Sequence, residues 1–441
     1  MLKVLKFGGS SVADAAHFKR IKSIVESDSA RSVVVVSAPG KMNGTGHKVT
    51  DLLYLCHAHI KYGVSFDEIF RQVEERYLNI KKGCGLQTDI ESELAALKER
   101  MREGLSEDEL VSRGEYFTAK LMADFLGFAF LDAALWLKFS YDGKIDLKKS
   151  YDALSKLAAG RKVVIPGFYG VMPDGKIKTL TRGGSDVTGA LAAAALDADV
   201  YENWTDVSGI LMADPRIVKD PRPIERATYS ELRELSYIGA KVLHEDAVFP
   251  VKDKGIPLNI RNIDDPDSPG TLILDEICDE NGEASPQEGN FITGIAGRKG
   301  YTVITISKPG MSSTPGVLLN MLQILAAHDV NVEYLPNGID CASFVVSTEK
   351  LGGGLYSILG EVEKQIEPTD IKITENMAVV AAVGRKMAFR PGISAKLFGV
   401  LGDNGVNIRM ITQGPEELNI IVGVEEKDFE QAIRALYESC I

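Results

Sequence analysis

The residues able to do chemistry gather at two glycine-rich turns and two later loops. Lys6-Phe7-Gly8-Gly9-Ser10-Ser11 stands where an apolar run, Leu2 to Phe7, meets a helical pattern (Phe18, Ile21, Ile24, Val25). Such a turn aims backbone N–H groups and a helix N-terminus at one spot, which suits a phosphate. Its glycines admit close backbone approach, and the lysine adds a point charge. Taken alone the turn is not specific, because Gly-Gly after a strand also serves plain chain reversal. No GxxxxGKS or GxxxxGKT occurs and no GxGxxG opens a helix, so the standard P-loop and dinucleotide-binding readings lose support. The second turn says more. Thr181-Arg182-Gly183-Gly184-Ser185-Asp186 precedes an Ala-rich helix, Val187 to Leu196. Ser185 or Asp186 is placed to cap that helix, and Arg182 to offer a planar fork to a carboxylate or phosphate. Two such turns in one domain favour a site for two anionic groups, for instance a nucleotide and an acidic substrate. Trp204 to Gly209, with Asp214-Pro215-Arg216, follows a further predicted strand, where open α/β sheets bind ligands. Tyr237 to His244 is a fourth candidate segment.

Other chemistry is set aside. His57 and His59 are two residues apart in a helical stretch and do not face one another, so no metal pair is expected. Ser10 and Ser11 have no recognisable triad partners. The five cysteines (Cys56, Cys84, Cys278, Cys341, Cys440) are odd in number, far apart and without CxxC. They read as reduced thiols of a cytoplasmic protein, not as a disulfide or zinc framework.

The elements that must position these turns show in the hydrophobic pattern. Strand, Gly turn, helix and strand follow one another through the continuous valines Val33 to Val36, which suggest a strand buried on both faces of a parallel sheet. The strand pattern returns at Lys162 to Gly167, Val200 to Trp204 and Pro257 to Ile260, implying an α/β domain with helices on both faces. Residues 62–110 read instead as two or three added helices. From Asp264 to Gly270, and again from Asp275 to Asn290, acidic residues, Pro and Gly mark a domain boundary. Beyond it, residues 301–347 align without a gap with 377–423, Pro315-Gly316 falling on Pro391-Gly392 and Val330-Asn331 on Val406-Asn407. Two copies are too few for a solenoid and imply two packed modules of one type.

Composition bounds the partners. The 441 residues suit two to four domains at about 150 residues each. Fifty Lys+Arg against 62 Asp+Glu leave a formal net charge of -12, which disfavours nucleic acid and anionic membranes. No uncharged apolar stretch approaches the ~18 residues of a membrane span. Lysines at Lys3 and Lys6 stand where a signal peptide needs an apolar segment.

The motifs Lys6 to Val12, Ser112-Arg113-Gly114-Glu115, Arg182 to Asp186, Thr205-Asp206-Val207, Ala213 to Arg216 and Gly239 to His244, in that order, resemble those of the aspartate kinases. The resemblance covers essentially the whole chain. It implies an α/β, amino-acid-kinase-like, parallel-rich sheet sandwiched by helices over residues 1–274, with a helical insert at about 60–111. A linker over 275–290 and two α+β, ferredoxin-like ACT modules over 291–441 would follow. The implied reaction moves the γ-phosphoryl group of ATP, with Mg²⁺, to the side-chain carboxylate of L-aspartate. By the same resemblance, Lys6 with the Gly8-Gly9 turn would hold the transferring phosphoryl group, and Ser185 and Asp186 would complete the phosphate and substrate side. Arg182 would pair with a carboxylate of aspartate and Glu115 with its ammonium, while Thr50 matches a family threonine near the substrate. Thr205, Asp206, Arg216, Lys241 and Val242 match nucleotide-binding positions. Two departures stand out: Leu211 replaces a frequent tyrosine, and Glu245-Asp246 replaces a common Pro-Arg after His244.

The duplicated tail resembles paired ACT modules, in which one module is commonly threaded into the other. Met311, Thr314, Val317, Leu318 and Glu333 match the effector-contact region, Glu333 standing where aspartate is frequent in lysine-sensitive members. The resemblance therefore implies feedback inhibition by lysine and/or threonine, and a homodimer or homotetramer formed through the ACT modules. Ile441 closes the sequence without a dinucleotide fingerprint, so no fused homoserine dehydrogenase is expected. The competing readings are a non-catalytic amino-acid sensor with a degenerate kinase domain, and a kinase of glutamate, acetylglutamate or UMP. Intact Lys6, Glu115, Arg182 and Asp186 argue against the first, and the paired tail against the second.

Overall fold

The computed structural model describes residues 1–41, 46–181, 183–239, 248–277, 292–385, 387, 391–414 and 418–441. The chain forms two compact units, each assembled from separate stretches. The first comprises Met1–Ile210, Pro223–Tyr229 and Lys241–Ile277; the second comprises Leu211–Arg222, Ser230–Ala240 and Cys278–Ile441. Two short stretches ahead of the expected boundary thus belong to the second unit.

In chain order the first unit holds β1 (Lys3–Phe7), α1 (Ala15–Glu26), β2 (Arg31–Val36), α2 (Val49–Lys61), α3 (Asp67–Cys84), α4 (Ile90–Glu103), α5 (Glu107–Leu126), β3 (Ala129–Phe130), α6 (Ala133–Trp136), α7 (Leu147–Ala158), β4 (Val163–Pro166), β5 (Tyr169–Val171), β6 (Ile177–Thr179), α8 (Gly184–Ala195), β7 (Val200–Thr205) and β8 (Arg226–Thr228). Helix α9 (Tyr229–Ile238) leads into the second unit, and α10 (Phe249–Lys252), β9 (Leu258–Asn262) and β10 (Thr271–Leu274) complete the first. Eight strands form one sheet in the order β3-β4-β2-β1-β7-β9-β10-β8, parallel from β3 to β9, with β10 turned antiparallel against β9. Val33 to Val36 are all buried, as a strand covered on both faces requires. Helices α1 and α5 pack on one face and α8 on the other. Leu5 and Phe7 enter the core under α1 and α5, so Val4 and Lys6, alternating with them, face the α8 side. Within 62–110 the insert is α3 and α4; Phe70, Val73, Tyr77 and Ile80 recur at helical spacing and bury in the same core as α1.

The sheet centre carries a buried ion pair. Arg31 Nε donates to Glu202 Oε2 at 3.0 Å and Nη2 to Oε1 at 3.2 Å, while Trp204 Nε1 donates to Glu202 Oε2 at 2.9 Å. These bonds tie β2 to β7 across β1, and Trp204 stacks on Phe7, the residue after Lys6, at 6.1 Å between centroids.

The second unit holds β11 (Ile292–Ser307), α11 (Val317–Ala327), β12 (Val332–Tyr334), β13 (Cys341–Ser347), α12 (Thr348–Leu351), α13 (Leu355–Ile366), β14 (Asp370–Gly384), α14 (Ile393–Asp403), β15 (Met410–Gln413), β16 (Asn419–Glu425) and α15 (Phe429–Cys440). They make an antiparallel sheet in the order β12-β13-β11-β14-β16-β15. The two long central strands each serve both modules. Val303 to Ser307 pair with Thr374 to Asp370, whereas Gly294 to Lys299 pair with Val383 to Ala378. The edge of the second module is therefore closed by chain that precedes the first, which is the threading expected of the tail. Repeat partners occupy equivalent core sites: Val317, Met321, Leu325, Phe344 and Val346 in one cluster, Ile393, Leu397, Leu401, Ile420 and Val422 in the other.

Candidate active site

The parallel strands β1, β2, β4 and β7 release their chains at one edge of the sheet, and a cleft of about 1100 Å³ opens there. Lys6, Gly9, Thr50, Glu115, Ser185, Asp186 and Asp206 line it, so these seven of the residues expected for catalysis, substrate and nucleotide come together. Ligands collect at this edge because the loops leaving parallel strands converge there.

The first glycine turn differs from expectation in its local structure. It opens a single 3-10 turn, Ser10–Val12, and α1 starts only at Ala15, capped by Asp14, whose carboxylate accepts from Ala16 N at 2.9 Å and His17 N at 3.0 Å. No α-helix N-terminus sits at Gly8-Gly9. The glycines are needed for proximity: Gly40 N donates to Gly9 O at 2.8 Å, and a Cβ on Gly40 would lie 2.7 Å from Gly9 C. The second turn also departs. Helix α8 is capped by Gly183 at φ +77, with no side-chain cap, so Ser185 and Asp186 lie in the first helical turn rather than at its cap. A left-handed φ favours glycine there, and the shift leaves Asp186 free to reach the sheet.

Lys6 is 7% exposed and its Nζ lies 2.6 Å from Asp186 Oδ1. Asn203 Nδ2 donates to the same oxygen at 3.0 Å. On another wall, Glu115 of α5 is 3% exposed; its Oε1 accepts from Ala38 N at 3.0 Å, while Oε2 is buried without a partner among the described residues. Burial pushes the Glu115 carboxyl up to about 8, against the Ala38 hydrogen bond that lowers it. A buried carboxylate oxygen that no described residue bonds has room for a donor from outside the described residues. The insert buttresses these walls from behind: Arg76 Nη1 donates to Gly40 O at 2.8 Å and Tyr77 OH to Gly114 O at 2.6 Å, the residue before Glu115.

The remaining assignments scatter. Gly8 sits beside Lys6, its Cβ position 3.4 Å from Nζ. Thr205 ends β7 and its hydroxyl donates to Asp206 at 3.2 Å. Arg216 belongs to the second unit, where it forks onto Asp214 at 2.6 to 3.1 Å and holds that carboxyl below its usual range. Arg182, Lys241 and Val242 lie outside the described residues. In the first module of the tail Met311 and Val317 are 7% exposed core residues, Leu318 packs against the same core, and Thr314 donates its hydroxyl to Gly310 O at 2.9 Å. The Glu333 carboxylate accepts from Tyr237 OH. Lys41, Lys48, Asp51 and Tyr54 also line the cleft, although they were not expected there; nor was Asn203 expected, which lies outside that lining and bonds Asp186. The signal for Lys41 and Lys48 was Ser37-Ala38-Pro39-Gly40, a second small-residue loop leaving a buried strand next to the first.

Among the described residues no group of three His, Cys, Asp or Glu could hold a metal ion, and no helix is long and apolar enough to cross a membrane. A model of the amino acid kinase family matches residues 1–262, and an ACT domain model matches residues 380–440. Aspartokinase 3 of Bacillus subtilis (strain 168) is 34% identical, the match covering 99% of this chain and 98% of that protein. The crystal structure of Clostridium acetobutylicum aspartate kinase, described as an important allosteric enzyme, is 47% identical and matches with a TM-score of 0.95 over 100% of both chains. E. coli aspartokinase III has been solved with aspartate and ADP (R-state) and with lysine and aspartate (T-state). It is 28% identical, with a TM-score of 0.76 over 100% of this chain and 99% of that one. The family model spans more than half of the chain and the matches to aspartokinases run its full length, so the chain belongs to the aspartate kinase family.

Proposed function

We propose that the protein phosphorylates the side-chain carboxylate of L-aspartate with ATP, giving 4-phospho-L-aspartate, and that amino acids binding its ACT modules regulate it. The observation that carries the reading is one cleft holding both the Lys6–Asp186 pair and Glu115, whose Oε2 no described residue bonds. The first offers a cation for a phosphoryl group, the second an anion for an amino-acid ammonium. Phosphoryl transfer needs positioning and charge stabilisation more than a strong base, and an aspartate carboxylate is already ionised at neutral pH. Lys6 then acts on the charge that gathers on the transferring oxygens, with N–H groups of the Gly8-Gly9 turn beside it. The Asp206 carboxylate at the cleft would suit a hard cation such as Mg²⁺, which would supply neutralisation of nucleotide phosphate charge. Arg182, Lys241 and Val242 complete the substrate and nucleotide contacts in this reading, together with Thr50, Ser185 and Thr205.

Regulation follows the same logic. The Glu333 carboxylate suits a lysine ammonium, and the E. coli relative has been solved with lysine. Exposed Leu319, Leu322 and Ile339 on the first module supply apolar surface for a homodimer or tetramer built through the ACT modules. We place the enzyme in the cytoplasm. ATP-dependent aspartyl-hydroxamate formation tests the reaction, with glutamate as the control; absence of product from aspartate refutes it. Lysine and threonine added separately to that assay test the effector, and indifference to lysine removes its role.

A further inference from the structure

We propose that Asn203 is a positioning residue for phosphoryl transfer: it fixes the Asp186 carboxylate, and through it the resting place of Lys6. The proposal rests on the kinase reading of this cleft. Asn203 is only 3% exposed, in the middle of β7, a strand position where an apolar side chain would pack without needing partners. Its amide is accounted for by one contact, Nδ2 to Asp186 Oδ1 at 3.0 Å. Lys6 and Asn203 are register partners on adjacent parallel strands, so their side chains leave the same face of the sheet at the same level. Both donors end on the same oxygen, Lys6 Nζ at 2.6 Å from Oδ1, and Oδ2 accepts from no described residue.

Strand β7 grips Asp186 twice. Tyr201, two residues before Asn203 and so on the same face, donates its hydroxyl to the Asp186 carbonyl oxygen at 3.2 Å. Main chain and carboxylate are therefore both fastened to β7. This matters because Lys6 must leave Asp186 to follow a transferring phosphoryl group. A carboxylate held by the lysine alone would rotate after it and keep neutralising it. Held by Asn203, Oδ1 stays on β7, and the second donor draws charge from the oxygen that Lys6 has to release.

The test uses Asn203→Leu and Asn203→Asp in the full chain, assayed at saturating aspartate and ATP alongside thermal melts. Asn203→Leu should lower kcat about tenfold, the worth of one hydrogen bond to a charged group, with both KM values within about twofold. Combined with Asp186→Asn it should add no further loss, because its effect passes through that carboxylate. Asn203→Asp keeps the shape but sets two carboxyls together. Its kcat relative to wild type should be lowest near pH 8 and recover towards pH 6, as a shared proton replaces the lost donor. A wild-type kcat in Asn203→Leu, a full independent loss in the Asp186→Asn background, or a pH-flat ratio for Asn203→Asp overturns the proposal. If Asn203→Leu fails to fold, the pH dependence of Asn203→Asp decides alone. Wild-type chain without kinase activity sinks the kinase reading and this proposal together; active wild type with indifferent variants sinks only this one.

Discussion

Glu115 makes a quantitative prediction about pH. Its carboxyl is fully enclosed, with one oxygen unpartnered among the described residues, and burial raises it from 4.5 to about 8. At neutral pH without ligand it is mostly protonated. An aspartate ammonium placed at Oε2 returns the charge to it, so binding must expel a proton. With a value of about 8, roughly one site in a hundred is ionised at pH 6 and about half at pH 8. Aspartate affinity should therefore rise about tenfold per pH unit from 6 towards 7.5 and flatten above 8. Calorimetry in buffers of different ionisation enthalpy should report close to one proton released per aspartate at pH 6.5. Stability carries the opposite sign. The folded value lies above the unfolded one, so stability is complete below about 4.5 and is lost as pH rises to about 8, by about 5 kcal/mol at most. Glu115→Gln, equal in shape and unable to ionise, should melt like wild type near pH 4.5 and higher than wild type near pH 8.5. It should also bind aspartate weakly at every pH. A pH-independent aspartate affinity in wild type would refute the assignment of Glu115 as the ammonium receptor, and equal melting of the two proteins across the range would refute the raised value itself.

Three other perturbations are expected to separate chemistry from support. Lys6→Ala should lower kcat by several orders of magnitude while leaving aspartate affinity nearly unchanged, because the lysine acts on charge that develops in the transition state; near-normal kcat would remove that role. Gly40→Ala places a Cβ 2.7 Å from Gly9 C, so the two loops must part: a loss of about 1–3 kcal/mol in denaturant titration is expected, with a larger fall in kcat than in stability. Glu202→Ala leaves Arg31 charged and buried, which should cost about 3–5 kcal/mol and register as a lowered denaturation midpoint. An unchanged midpoint would show that water or rearrangement satisfies Arg31.

Much of this architecture was legible because it is periodic. Continuous valines at Val33–Val36 announced a strand covered on both faces, and the spacing of Phe18, Ile21, Ile24 and Val25 announced α1. The gapless repeat announced two modules, since a duplicated core repeats its apolar positions. The caps were less legible. Ser185 and Asp186 have the composition of helix caps, but Gly183 reaches a left-handed φ at no steric cost and starts α8 two to three residues earlier. Asn203 escaped notice altogether, because one amide beside Glu202 in the run Tyr201 to Trp204 carries no motif.

The sequence by itself determined which residue types exist and in what order: a lysine before Gly8-Gly9, an acid at Glu115, an acid at Asp186, and a tail written twice. Those properties are local, set by backbone sterics and by apolar spacing along the chain. What only the tertiary structure decided is proximity between distant segments. Lys6, Asp186 and Asn203 converge because parallel pairing places β1 beside β7 in a fixed register and lays α8 over both. Burial of Glu115, and the shift it causes, exists only once α5 closes on the loop after β2. Charge on an isolated peptide depends on residue type; in the folded chain it depends on which donors and how much water remain within reach.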